Sequence, residues 1–237
     1  MKLLPLLALA AAMLSGAAQA HTQAAPDISG VWRLAGAFQS ELRTTDDKAP
    51  PLLPKALATY RQRQAALSKG DHAFDNASTI CVSPGMPRMV QLPYPFQIIQ
   101  GSRYMLFLFE WNGRRRLIDM SGAAPEPPDL FYMGTSAGKV VGDAVVAETR
   151  GLIDTSLLDA SGMPHSDQLK LTERYTLADN GATLVDEITI EDPATFSKSW
   201  TTRLTFQRQS AGTEIQEDVC RERVTKGGTA FEYDKFN

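Results

Sequence analysis

Residues 168–191, QLKLTERYTLADNGATLVDEITIE, read as two strands around a tight turn. Leu169, Leu171, Tyr175 and Leu177 alternate with Gln168, Lys170, Thr172, Arg174 and Thr176, the two-residue period of a strand with one dry and one wet face. Asp179-Asn180-Gly181 supplies the turn, and Leu184, Asp186, Ile188 and Ile190 then share one face of the return strand. Two carboxylates break the pattern, because Glu173 and Asp186 both fall among the apolar residues. An unpaired ionised carboxylate on a buried face is very costly, so each must be paired, wetted or protonated.

The same signature extends along the chain from Phe96. Residues 96–100, 103–111, 114–119, 139–149, 168–177, 183–191, 199–208 and 213–220 are rich in β-branched and aromatic side chains, and Gly101-Ser102 and Asn112-Gly113 add hairpin turns. With residues 31–34 this makes about nine strands joined mostly by short turns. The fold expected is all-β: an antiparallel meander of about eight to ten strands, closed into a barrel so that no edge is left open. Strand 103–111 is apolar on both faces, with Tyr104, Leu106 and Leu108 opposite Met105, Phe107, Phe109 and Trp111, so both faces must be covered. One N-terminal helix is predicted over about 55–69, opened by Pro54 and closed by Gly70. We expect it to pack over the outside of strand 103–111.

The ends of the chain bound the domain. Lys2, an apolar run from Leu3 to Leu14 and Ala18-Gln19-Ala20 have the form of a secretory signal peptide covering residues 1–20. The run is too short for a membrane span, which needs about 20 residues. The expected organisation is a single barrel domain over 21–221 beginning at His21, followed by a tail over 222–237, in a periplasmic or secreted protein. Cys81 and Cys220 are the only cysteines, and in an exported chain an even count predicts a structural disulfide between them.

With 24 Lys and Arg against 27 Asp and Glu, the chain has no basic stripe for nucleic acid or an anionic membrane. Arg114-Arg115-Arg116, after Asn112-Gly113, reads as three solvated arginines at a hairpin tip. Gly134-Thr135-Ser136-Ala137-Gly138 lacks the Lys-Ser/Thr ending of a phosphate loop, so no nucleotide cofactor is expected. Asp71, His72 and Asp75 lie close in sequence, but no His-x-x-x-His or Cys/His cluster accompanies them; they read as solvated loop charge, and no metal is expected.

Gly30-Val31-Trp32, opening the first strand of an antiparallel barrel, resembles the Gly-x-Trp signature of lipocalins and their calycin relatives. Pro84-Gly85-Met86-Pro87-Arg88, Met133-Gly134, Gly142-Asp143, Pro164-His165-Ser166-Asp167, Glu173-Arg174-Tyr175 and Ile190-Glu191-Asp192-Pro193 resemble the recurring blocks of an uncharacterised family of exported bacterial proteins, over about 30–221. Thr135 departs from that pattern, where a histidine follows Met-Gly. The lipocalin resemblance implies a barrel that binds a small, largely apolar molecule in its interior.

Candidate site residues follow from the inward faces. Glu173 is the central candidate, a general acid or base at the floor of a cavity, with Asp186 on the neighbouring strand and His165, two residues before Asp167, assisting. Trp32, Tyr104, Glu110, Tyr175 and Trp200 would line the ligand space. Each reading has a structural counterpart: Glu173 could bind an internal arginine or water and fix register, and His165 could belong to a Gly162, Pro164, Ser166 turn. Besides a small-molecule binder, these residues allow a cofactor-independent isomerase, hydratase or lyase, or an accessory envelope protein whose Pro-rich segment 84–95 and tail meet a partner.

Overall fold

A computed structural model describes residues 26–127 and 129–234. The predicted signal peptide and His21 lie outside the described residues. Nine strands close into a barrel in chain order, β1 to β9, with β9 returning to β1. They are β1 (Gly30–Leu34), β2 (Phe96–Gln100), β3 (Tyr104–Phe109), β4 (Arg115–Asp119), β5 (Thr135–Val141), β6 (Ala144–Arg150), β7 (Lys170–Ala178), β8 (Thr183–Glu191) and β9 (Trp200–Arg208). The quoted stretch is the β7–β8 hairpin, paired from Lys170↔Glu191 to Ala178↔Thr183.

Two expected strands change. Residues 139–149 are not one strand, because Gly142 takes a positive φ and turns β5 back into β6. Residues 213–220 form no strand; the chain there is irregular and ends in a short helix, α4 (Cys220–Thr225). One pairing also departs from the antiparallel meander. β4 and β5 run parallel, with Ile118 opposite Ser136, since the long link 120–134 carries the chain back to the starting end before β5 begins.

Among the described residues, three helices lie outside the barrel wall before β2: α1 (Pro54–Leu67), α2 (Asn76–Ile80) and α3 (Arg88–Gln91). α1 forms where the sequence predicts it, but it does not clamp onto β3. Tyr60, its one buried residue, bonds Ser161 Oγ at 2.6 Å, and Arg63 donates to Gly162 O, so its partner is the loop at 159–163. The outer face of β3 stays partly open: Tyr104 is 40% exposed, and only Leu108 is flanked by residues 213–216. Asp75 is not solvated loop charge. It is buried, caps α2 through the Ala77 N–H, and holds the buried Arg88 with two bonds of 2.9 and 2.8 Å.

Cys81 and Cys220 form a disulfide, as expected, across 139 positions. It pins α4 beside α2, and the chain beyond it folds back on the barrel. Trp111 donates its Nε1–H to Ala230 O and stacks on Phe231, which stacks on Tyr233, which stacks on Phe38. The described part of the tail is therefore occupied by its own chain. No helix among the described residues is long and apolar enough to cross a membrane.

Candidate functional site

The barrel interior holds a polar cluster built from four strands. β4 alternates exposed and buried, which turns Arg116 and Ile118 inward and Arg115 and Leu117 outward. Arg116 is thus no solvated hairpin arginine; it is 2% exposed and is the internal partner that Glu173 requires. Its Nη1 donates to Glu173 Oε1 at 2.9 Å, its Nη2 donates to Glu173 Oε2, and Nη2 and Nε also reach Thr149 Oγ1 (2.7 Å) and Ser136 Oγ (3.0 Å). Tyr175 donates its hydroxyl to Glu173 Oε1 at 2.7 Å. Burial works against the Arg116 charge, but the Glu173 carboxylate and Tyr175 offset it and hold the guanidinium above its ordinary range.

Asp186 stands directly opposite Tyr175 in the β7–β8 ladder. It is fully buried, and neither carboxylate oxygen has a hydrogen-bond partner among the described residues. Burial, and then the nearby Glu173 charge, push its pKa well above the usual carboxylate range, against the pull of Arg116. The interior thus holds the Arg116–Glu173 ion pair and, beside it, a carboxyl at Asp186 whose protonated form burial favours. A zero exposure for Glu173 and Asp186 also means that no water-sized space touches either. A substrate reaching Glu173 would have to displace Arg116.

The remaining candidates are dispersed. Trp32 is fully buried, donates to Ile28 O at 3.0 Å and carries the Arg208 guanidinium 4.2 Å above its ring. Trp200 is buried against Phe196, with its Nε1 unpartnered among the described residues. Tyr104 faces outward beneath Arg103, because the inward face of β3 is Met105, Phe107 and Phe109. Glu110 does not continue a strand face either: it begins the turn after β3 and accepts from the Gln216 N–H. His165 is oriented by a main-chain carbonyl, Ser166 O at 2.9 Å, and not by the exposed Asp167. That bond places the proton on Nδ1 and leaves Nε2 to accept from Ser156 Oγ at 2.8 Å. This is a nucleophile–base geometry, but Ser156 is buried, Ile153 O at 2.9 Å competes with His165 Nε2 for its one hydroxyl proton, and a methyl at Gly85 would already meet its Oγ at 2.8 Å. Among the described residues no group of three or more His, Cys, Asp or Glu side chains converges as a metal site.

Sequence reasoning missed a cleft in the barrel wall. β1 pairs with β9 only as far as Leu34↔Phe206. After one more bond, Ala35 N–H to Thr205 O, the chain leaves β9 at Gly36 and rejoins it at Thr45, which donates to Thr201 O. The gap is a cleft of about 370 Å³ bordered by Leu34, Leu42 and Leu204 and by Gln91, Thr202 and Arg203. Leu204, which borders the cleft, pairs with Asp186 across the β8–β9 ladder. Gln91 is 1% exposed; its Nε2 donates to Gln39 O, while its Oε1 has no partner among the described residues. The signal for this site was weak, since only the glycine at 36 and the polar run after it mark where the strand ends.

No protein-family model matches this chain, and no curated protein matches it.

Proposed function

We propose that the protein is an exported, lipocalin-like barrel that binds a small molecule at the seam between β1 and β9 rather than deep in its interior. The observation that carries this reading is the 370 Å³ cleft left where the β1–β9 ladder stops at Leu34↔Phe206. A cleft of that size suits a small ligand, since ligand sites span roughly 300–1,000 Å³. Leu34, Leu42 and Leu204 supply apolar contact, and the polar border of Thr202, Arg203 and Gln39 supplies hydrogen-bonding groups. The disulfide and the signal-peptide pattern of residues 1–20 support an oxidising compartment. The packed Arg116–Glu173 pair supports a structural role for the interior, so binder is favoured over acid–base enzyme.

The test is to incubate the purified protein with a metabolite extract and record retained compounds by native mass spectrometry. Wild type should retain a compound at one-to-one stoichiometry, and Ala37→Trp, which places an indole at the cleft rim, should lose it. Retention unchanged by Ala37→Trp would refute the seam site.

A further inference from the structure

Arg203 lies at the middle of the gap in the β1–β9 ladder. Along β9 the odd-numbered residues turn their main chain towards β1: Thr205 O accepts from Ala35 N–H at 2.8 Å, Gln209 N–H donates to Val31 O at 2.8 Å, and Thr201 O accepts from Thr45 N–H at 2.9 Å. Even-numbered residues turn to β8, as when Arg208 N–H donates to Ala182 O. Arg203 belongs to the odd set, so its N–H and C=O face the cleft, where no described residue takes either.

Nor can the neighbouring chain close on them. Residues 36–44 are held away by three bonds: Gln91 Nε2 to Gln39 O (2.7 Å), Ser161 N–H to Ser40 O (3.0 Å) and Leu42 N–H to Asp159 Oδ2 (3.0 Å). The cleft therefore presents a main-chain donor and acceptor in strand geometry. A donor and an acceptor on one strand residue are matched by one residue of another chain, through its own C=O and N–H.

We propose that the cleft binds a peptide unit, an acylated amino acid or dipeptide-sized amide, by adding a one-residue strand to Arg203. This rests on the cleft being the binding site. The gap from Thr201 to Thr205 spans four steps of β9, about 13 Å of strand, which seats one residue with its flanking amides and excludes a long strand. Leu34, Leu42 and Leu204 favour an apolar side chain. The border charges are already matched, Arg43 by Asp47 and Arg203 by Glu187, so uncharged ends are preferred over a free carboxylate.

The probe is N-acetyl-leucine methylamide, titrated into the ¹⁵N-labelled protein, against the analogue in which an ester oxygen replaces the leucine N–H. The amide should shift the Arg203 N–H and the Leu204 resonances, and the ester should bind about tenfold more weakly or worse. Arg203→Pro removes the N–H that faces the cleft and spares the ladder to β8. It should weaken binding by about tenfold or more, and clearly more than Arg203→Ala, which loses the side chain but keeps the main-chain N–H. Equal affinity for amide and ester overturns the proposal even if Arg203→Pro does not fold, and so does equal binding by the two Arg203 variants. If an extract compound is lost on Ala37→Trp while the amide leaves the cleft resonances unmoved, the peptide assignment falls and the seam site stands. If neither perturbs the cleft, both fall.

Discussion

Arg116 on β4 and Glu173 on β7, 57 positions apart in the chain, meet inside the barrel as a two-pronged ion pair that solvent does not reach. The pair ties together two strands that are not neighbours, since β5 and β6 lie between β4 and β7 in the wall. It also explains why a strand places a carboxylate on its dry face.

Breaking this pair from one side should be costly. Arg116→Met leaves the Glu173 carboxylate buried without its cation, and we expect a loss of about 3–5 kcal/mol in urea unfolding. Replacing both, Arg116→Met with Glu173→Leu, should cost much less than the sum of the single changes, because no uncompensated charge remains. A single Arg116→Met variant within 1 kcal/mol of wild type, on the order of a surface pair, would contradict this role.

Asp186 should behave in the opposite way. The charged and titratable groups around it are Glu173 and Tyr175 on β7, Arg116 on β4 and Glu187 on its own strand, and burial with the Glu173 charge raises its pKa. The folded state therefore keeps its proton to higher pH than the unfolded chain, and stability drains away as pH rises from about 4. Asp186→Leu removes that loss. Its stability advantage over wild type should widen by up to about 1.4 kcal/mol per pH unit between pH 4 and the ionisation of the folded carboxyl. A gap independent of pH would show that Asp186 is ionised in the folded state.

His165 carries the reverse sign. Burial lowers its pKa, outweighing the Ser166 carbonyl bond that raises it. The stabilisation of the neutral ring is complete above the unfolded histidine value of about 6.5 and is lost as pH falls towards the lower folded value. The stability difference between wild type and His165→Gln should shrink from pH 7 to pH 5 in chemical denaturation. A constant difference would mean that the ring takes up its proton equally in both states.

The Cys81–Cys220 bridge closes a loop across 139 positions. In the chain-entropy picture a loop of that length contributes about 4–5 kcal/mol, so Cys81→Ala with Cys220→Ala should lower stability by that order. It should also raise Trp111 exposure, read by fluorescence quenching, because α4 and the Ala230–Phe231 contact lose their anchor. Unchanged quenching would show that the aromatic stack holds the tail unaided.

Much of the barrel was legible in sequence because alternation is a local signal. Leu171, Tyr175, Ile188 and Ile190 face inward as their period demands. What alternation cannot show is which strands lie across the interior, so Arg116 looked like hairpin charge although its neighbour Ile118 already marked the inward face of β4. Tyr104 failed for a different reason: β3 is apolar on both faces, and nothing in its own sequence says which one is inside. Only fragments of the candidate site were readable. Gln91 lies in a proline-flanked segment without periodicity, and the free main chain of Arg203 is a property of where β1 stops, which no side chain on β9 reports.

The claim that the ligand occupies the seam and not the interior is tested most directly by intermolecular NOEs from a retained compound to assigned methyl groups of the protein. The account predicts contacts to Leu34, Leu42 and Leu204 around the cleft. Contacts to Leu171 and Ile188, which flank Glu173 inside the barrel, without contacts to Leu42, would contradict it.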